Sequence, residues 1–504
     1  MAEAHLRSDA GPVALSAATL AEFRRAGLDG VGLPHYDRAT VTPGIVHIGV
    51  GGFHRAHQAM YVDSLLDAGL ATDWGICGVG LLPADERIAH VLHAQDGLYS
   101  LLEKAADARP RLRVIGSIVE YFYAPRAVAK GLDRLSSPQI RIVTLTVTEG
   151  GYNVHRVTGE FDATEPGVVA DLAHPSRPGT VFGLLVEALA RRRASGMAPF
   201  AVVSCDNVQG NGAVTRRAVT SFARLRDPAL ADWIDSHVRF PNSMVDRITP
   251  VTDPRDRAVV RDRFGIDDGW PVVCEPFTQW VLEDDFPLGR PPLEQAGVQL
   301  VDDVEPYELM KLRLLNASHQ ALGHAGLLAG YRYVHEATAD PVLAAWVRGY
   351  MLREAIPSLR PVPGIELADY VDELLRRFAN PEIRDTLARV CVDASERIPK
   401  FLLPVIRHQL STGGPVERSI AVLACWARFA EGTDEHGARL EIVDPAASTL
   451  AAAAQQERAA PLAFVRNRDI FGDLADHRRF ADSYLRTLTS IRERGVRAAI
   501  GDLT

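Results

Sequence analysis

Glu308, Lys311, Asn316 and His319 are among the polar residues of the Leu- and Ala-rich stretch PYELMKLRLLNASHQALGHAGLLAGY. The stretch reads as one helix from Tyr307 to about Leu328, with Pro306 at its start and Gly330 near its end. At about 100° per residue, Glu308, His319 and Asn316 fall about 60°, 80° and 140° from Lys311, within about 16 Å of axis. All four then share one arc, beside Leu312, Leu314 and Leu315. A lysine sheltered among apolar side chains loses hydration in its charged form, and its pKa falls. Such an amine can take the proton of a secondary alcohol while hydride leaves the same carbon. Asn316 can donate to that oxygen as negative charge builds. His319 can bind a neighbouring hydroxyl or tune the lysine, and Glu308 can pass the proton toward solvent. Spacing alone fits equally a surface lysine, a helix-packing asparagine and a satisfied core histidine.

Hydride chemistry needs an acceptor, and the segment GIVHIGVGGFHRAHQA offers a place for one. Gly49-x-Gly51, with Gly52, follows the apolar run Ile45–Val50. Glycine lets a phosphate approach the backbone, and a helix amino terminus supplies unpaired N–H groups. His54 stands where a third glycine is expected, followed by Arg55, so the turn by itself also reads as a plain structural loop. A second strand, GICGVG, follows, and Asp85 or Glu86 after it is placed to bind ribose hydroxyls and to disfavour a 2′-phosphate. The alternative for Asp85 is a simple acid at a helix amino terminus.

The elements that must position these residues alternate. Candidate strands are Ile45–Val50, Gly75–Val79, Arg113–Ile118, Arg141–Val147 and Ala201–Ser204. Helical patterns lie between them at Ala56–Asp67, Ala84–His93, Ala124–Leu135 and Val181–Arg193. Alternation of this kind predicts βαβ units and a largely parallel sheet. Thr148 and Glu149, in the loop Glu149-Gly150-Gly151, then lie at the carboxyl edge where open α/β sheets bind ligands. Asn207, in VVSCDNVQGNG, and Asp246, in FPNSMVDRITP, could meet a polyol or serve as turn residues. From about Glu305 helical patterns dominate: Pro341–Glu354, Leu367–Phe378, Pro381–Val390, Arg418–Glu431, Pro445–Gln456 and Asp476–Arg494. There RVCVDASERIPKF offers Arg389, Ser395 and Arg397, either for distal hydroxyls or for exposed ion pairs. The proline-rich stretch before Glu305 predicts two domains, 1–296 and 297–504. The role of the residues before about 35 is open.

At 504 residues the chain is too long for one core. A net charge of −9 argues against nucleic-acid binding. No apolar run is long enough for a membrane span, and no signal peptide is evident at the start. Five scattered cysteines form no C-x-x-C, so a disulfide framework and a structural zinc site are not expected, and a reducing cytoplasm is.

The segments GVGGFHRAHQA, TLTVTEGGYN, SCDN, FPNSMVDRITP and KLRLLNASHQAL together resemble the polyol-specific long-chain dehydrogenases, most of all the mannitol 2-dehydrogenase branch. The resemblance runs from about residue 35 to about 495 and includes IVDP (Ile442–Pro445) and DIFGDL (Asp469–Leu474). It implies an α/β Rossmann-type amino-terminal domain and a mostly α-helical carboxyl-terminal domain, 6-phosphogluconate dehydrogenase-like. It implies zinc-independent, NAD(P)-linked oxidation of a polyol to a ketose, with no metal ligands and a leaning toward a monomer; the expectation for this chain is D-mannitol to D-fructose with NAD. Lys311 matches the family's general base, Asn316 and Asn207 the groups that hold the reacting oxygen, and Glu308 the proposed proton gate. His319, Asp246, Arg389 and Arg397 match positions near the substrate, and Asp85 the acid associated with NAD preference. Position 397 is one where some relatives carry lysine. The ending Gly51-Gly52-Phe53-His54-Arg55 resembles this family's own version of the turn.

Other readings remain at this point. Tyr307-x3-Lys311 has the spacing of the short-chain dehydrogenase pair, although such chains are about half as long. Arg389 and Arg397 could hold a carboxylate, as in fructuronate or tagaturonate reductases, and D-arabinitol is a smaller change of substrate. A non-catalytic nucleotide sensor needs only the glycine turn. His54-x2-His57 and His319-x4-His324 lack the cysteines of a zinc alcohol dehydrogenase site.

Overall fold

The computed structural model describes residues 11–153 and 160–504, apart from the side chain of Glu149. The chain divides into two compact units, Met1–Val304 and Glu305–Thr504.

The first unit is built on a parallel sheet of β1 (Pro43–Ile48), β2 (Gly75–Gly80), β3 (Ile118–Tyr123), β4 (Ile142–Leu145) and β5 (Ala201–Ser204). Their spatial order is β3-β2-β1-β4-β5, with every neighbouring pair parallel. Successive side chains of a strand point to opposite faces. Ile45, Ile76, Ile142 and Val203 therefore enter one core, while Val46, Cys77, Val143 and Val202 enter another. Burial on both faces explains the near-continuous apolar runs of these strands. The crossovers include α1 (Gly52–Ala56), α2 (Gln58–Asp67), α3 (Asp85–Ala94), α4 (Ala124–Leu135) and α5 (Val181–Ala194).

A second sheet pairs β6 (Ser243–Asp246) with β7 (Gln279–Glu283) antiparallel, and β7 with β8 (Gln299–Val301) parallel. A four-stranded sheet holds Val31–Gly32, Tyr99–Glu103, Arg111–Ile115 and Val272–Cys274.

Two expectations change here. The strand read at Arg113–Ile118 is two strands in different sheets, Arg111–Ile115 and β3. Between them the Gly116 N–H donates to Asp63 (2.8 Å) and its carbonyl accepts from Arg38 Nε (2.9 Å), which turns the chain out of one sheet toward the other. The helix expected from Ala56 begins at Gly52 and breaks at His57, whose φ of −122° and ψ of −90° are not helical.

The second unit is mostly helical. The expected long helix is α6 (Glu305–Met310), a π segment over Lys311–Asn316, and α7 (Ala317–Leu328). Then follow α8 (Pro341–Tyr350), a second π segment over Met351–Ala355, α9 (Leu367–Phe378), α10 (Leu387–Val390) and α11 (Ala394–Phe401). Later elements include α12 (Leu403–Thr412), α13 (Glu417–Phe429) and α14 (Arg478–Arg494). α7 is buried nearly all round and packs on α13, which packs on α14. Glycines allow a close approach: a Cβ at Gly323 would meet Cys391 Sγ at 2.5 Å, and one at Gly326 would meet Leu387 at 2.7 Å. The helix expected over Pro381–Val390 forms only in its last turn. Before it Thr386 bridges to Tyr333 and the Leu387 N–H donates to the Arg332 carbonyl (3.0 Å), so the backbone is engaged sideways rather than helically.

Candidate active site

In the first unit, parallel topology brings together what the sequence scatters. Gly49–Gly52 follow β1, Asp85 follows β2, Thr148 and Glu149 follow β4, and Asn207 follows β5. These are the carboxyl ends of four adjacent strands, the edge where open α/β sheets bind ligands. Gly49 has φ +95°, and a Cβ there would collide with the Thr146 carbonyl, so no other residue fits. Gly51 caps α1 with no side-chain bond to the first turn, and a Cβ on it would find only the Gly49 carbonyl, at 3.8 Å. The exposed amides of Gly51 and Gly52 thus suit a pyrophosphate, as the turn's chemistry requires.

His54 and Arg55 turn inward instead. His54 is fully buried and stacks on His47, ring centres 3.3 Å apart. Burial, then His47 beside it, pushes its pKa well below the ordinary histidine range, so it is a neutral ring beneath the turn. His47, pushed down to about 3 by burial, bonds Thr144 Oγ1 (2.7 Å) and Thr146 Oγ1 (2.9 Å). Arg55 is 3% exposed and donates to the Trp270 carbonyl (2.6 Å). Phe53 stacks on His57 at 5.0 Å. The side chains at 53 to 55 therefore brace the glycine turn from within.

Asp85 starts α3, and its Oδ2 accepts the amides of Leu81 (2.9 Å) and Leu82 (2.8 Å). The loop after β2 is so held that the carboxylate sits on the edge, near Tyr121, whose phenol is pushed up by burial and then by Asp85. Thr148 adopts φ +62°, a conformation costly for a residue with a Cβ. Asp206 holds it there, accepting the amides of Val147 (3.1 Å) and Thr148 (2.9 Å) and the hydroxyl of Tyr152 (2.8 Å). Asp206 is a positioning residue that sequence reasoning passed over in favour of its neighbour Asn207. The signal was an acid two residues past a buried strand.

Asp246 ends β6, 4% exposed, in the other sheet and opposite Gln279. That sheet is tied to the edge at both ends of β6. Ser243 Oγ donates to the Ser204 carbonyl (2.6 Å), and Arg247 donates to the Ala56 carbonyl at the end of α1 (2.7 Å).

In the second unit Glu308 and Lys311 are buried, at 9% and 7% exposure, while Asn316 and His319 are half-buried. The regular-helix geometry expected for them is corrected by the π segment, in which the Ala317 N–H bonds the Leu312 carbonyl, five residues back. A π turn spaces bonded residues five apart. Asn316 accordingly lies about one turn above Lys311, in roughly the relation of residues four apart in an α-helix, rather than about 140° away. The His319 ring lies 4.5 Å from that of Phe378. α11, which carries Arg397, packs on the π segment and on α7, and Arg397 is half-buried. Arg389 forks onto Asp385, its Nε donating at 2.6 Å, and Ser395 Oγ donates to Asp444 (2.6 Å) in the IVDP segment. Among the described residues no cluster of three or more His, Cys, Asp or Glu is arranged to hold a metal, and no helix is long and apolar enough to cross a membrane.

A 3-2-1-4-5 parallel sheet with a glycine turn and an acid on its carboxyl edge, joined in one chain to a helical unit bearing a buried lysine, defines a nucleotide-dependent dehydrogenase of the two-domain kind. Residues 43–295 match the mannitol dehydrogenase Rossmann domain, and residues 303–492 the mannitol dehydrogenase C-terminal domain. The mannitol 2-dehydrogenase of Phaeosphaeria nodorum is 45% identical over 94% of this chain and 83% of its own. The structure of the Pseudomonas fluorescens mannitol 2-dehydrogenase, a ternary complex with NAD and D-mannitol, is 46% identical with a TM-score of 0.89, covering 97% of this chain and 99% of that one. A D-sorbitol dehydrogenase in substrate-free form is 38% identical with a TM-score of 0.88, over 97% and 100%. The chain belongs to the mannitol dehydrogenase family.

Proposed function

We propose that this chain catalyses the reversible, NAD-linked oxidation of D-mannitol to D-fructose, with Lys311 as general base. Bound NAD would supply the hydride acceptor for C2 of the polyol. The exposed glycine amides would hold its pyrophosphate and Asp85 its ribose. Lys311 takes the hydroxyl proton as the hydride leaves. Asn316 and Asn207 donate to the oxygen as charge builds on it. Asp246, His319 and Arg397 bind neighbouring hydroxyls, and Glu308 passes the proton outward. The observation that carries the reading is the burial of Lys311 on the strip where the π turn stacks Asn316.

Two further parts of the reading have their own support. The bidentate hold of Asp385 on Arg389 favours a neutral sugar over a uronate, since a substrate carboxylate would have to displace it. Five buried free cysteines suit the cytoplasm, and the chain acts as a monomer, which sedimentation would test. The deciding experiment follows absorbance at 340 nm with mannitol, sorbitol, arabinitol, fructose and fructuronate, using both cofactors. Mannitol and fructose with NAD are expected to give the highest kcat/KM. Faster reduction of fructuronate than of fructose would assign the site to a keto-acid, and inactivity throughout would favour a nucleotide sensor.

A further inference from the structure

The π segment that carries Lys311 and Asn316 has a cost in hydrogen bonds. Where pairing returns from five residues to four, one carbonyl loses its donor within the helix. The Ala317 N–H is taken by Leu312, and the next carbonyl in line is that of Arg313. It accepts the hydroxyl of Tyr350 at 2.8 Å. Tyr350 is the last residue of α8 and fully buried, and the second π segment starts directly after it. The two π segments lie against each other. Arg313 is held from its other end too, its guanidinium donating to the carbonyl and hydroxyl of Ser358 just beyond the second π segment.

We infer that Tyr350 is a positioning residue for the reaction, its hydroxyl satisfying the spare carbonyl of the π turn and so fixing Asn316 above Lys311. Without that donor, the carbonyl is left buried and unpaired, and the segment regains its bond by moving toward α-helical pairing. Such a move swings Asn316 away from Lys311 by most of a residue's rotation, about 100°. Burial, and next Glu354, push the phenol well above its ordinary range, so the donor proton stays in place at any working pH.

The molecule holds its own control. The second π segment also has a carbonyl, that of Glu354, capped by a buried side chain, Gln409 Nε2 at 2.6 Å. Gln409 bonds a π turn that carries none of the proposed chemistry. Tyr350→Phe and Gln409→Met each delete one buried bond from a side chain to a π-turn carbonyl in the same unit. The inference rests on the proposed role of Lys311, so Lys311→Ala is measured alongside.

A displacement of even about 1 Å in an aligned catalytic group costs up to about 10²-fold, and the swing of Asn316 is larger, so Tyr350→Phe is expected to lower kcat for mannitol by at least about 10-fold. The KM for NAD should stay within about twofold, and the isotope effect with C2-deuterated mannitol should rise as hydride transfer becomes limiting. Gln409→Met should lower the melting temperature comparably while keeping kcat within about twofold. Equal losses of kcat in both variants, or a normal kcat in Tyr350→Phe, would overturn the inference. If Tyr350→Phe does not fold, Tyr350→Met removes the same donor while filling the space with a flexible side chain, and an unchanged kcat there overturns the inference equally. Full turnover in Lys311→Ala would instead remove the reading of the lysine, whatever Tyr350 does.

Discussion

The two units assemble their functional residues in opposite ways. In the first, the candidate residues other than Asp246 come from four separate loops, and what unites them is the parallel sheet: four adjacent strands end at one edge. In the second, Glu308, Lys311, Asn316 and His319 come from one continuous stretch, and a local irregularity of the helix decides how they face one another. A distributed site tolerates the loss of one contributor, because the others are anchored independently. A site on one helix stakes everything on that helix's phase. The two regions should therefore fail differently, and the following experiments test that contrast.

The largest effect is expected in the second unit. Lys311→Ala should lower turnover by about 10²- to 10⁴-fold, the range for a lost general base, with NADH affinity nearly unchanged. Stopped-flow hydride transfer and fluorescence titration of NADH separate the two. If NADH affinity collapses while transfer survives, the lysine is a structural member of the helix and the contrast between the units disappears.

Acid should expose a second difference. His47 in the first unit is held neutral down to about 3 and His324 in the second to about 4, both by burial. Unfolded histidines titrate at about 6.5. Below that pH the unfolded chain binds protons that the folded one refuses, so stability falls as pH drops from about 6.5 and the loss levels off near each folded value. At about 1.4 kcal/mol per pH unit the loss reaches about 5 kcal/mol for His47 and about 3.5 for His324. Denaturant titrations from pH 7 to pH 3 should show it: His47→Asn and His324→Asn should flatten the curve about equally down to pH 4, and only His47→Asn should flatten it further below. Equal slopes in wild type and both variants would show that neither ring is kept neutral.

How far the sequence discloses each region follows from the same contrast. β1, β5 and the helices at Ala124–Leu135 and Leu367–Phe378 stand within two residues of where periodicity puts them, because burial on two faces or one stripe writes itself directly into residue type. The π segment leaves no such mark. KLRLLN contains neither glycine nor proline, and its register is set by Tyr350, distant in the chain, which rewards one unpaired carbonyl. Arg55 and His54 were legible as residues near the turn, but not their inward direction, which depends on Trp270 and His47. Asp206 was hidden because its work is on another loop's backbone.

Gly49→Ala tests the anchoring of the first unit. The added methyl must sit at φ +95° and displace the Thr146 carbonyl, a strain of about 1–3 kcal/mol or more. The KM for NAD should rise about tenfold, since the turn is one of four contributors, while kcat at saturation changes little. Loss of kcat equal to that in Lys311→Ala would mean that the edge, too, acts as a single unit.

The smallest effect separates charge from shape at one contributor. Asp85 Oδ2 holds the loop amides of Leu81 and Leu82, and the proposed second task of its charge is to keep a 2′-phosphate away. Removing the side chain would confuse the two. Asp85→Asn keeps an oxygen for the amides and removes the charge that repels a 2′-phosphate. The ratio of kcat/KM for NAD over NADP should then narrow about tenfold, about 1.4 kcal/mol, mostly through gain with NADP. Repulsion between exposed charges is screened, so the narrowing should shrink as salt rises from 0.01 M to 0.5 M. If the ratio instead narrows through loss with NAD alone, independent of salt, Asp85 acts on the loop and Glu86 becomes the next carboxylate to neutralise.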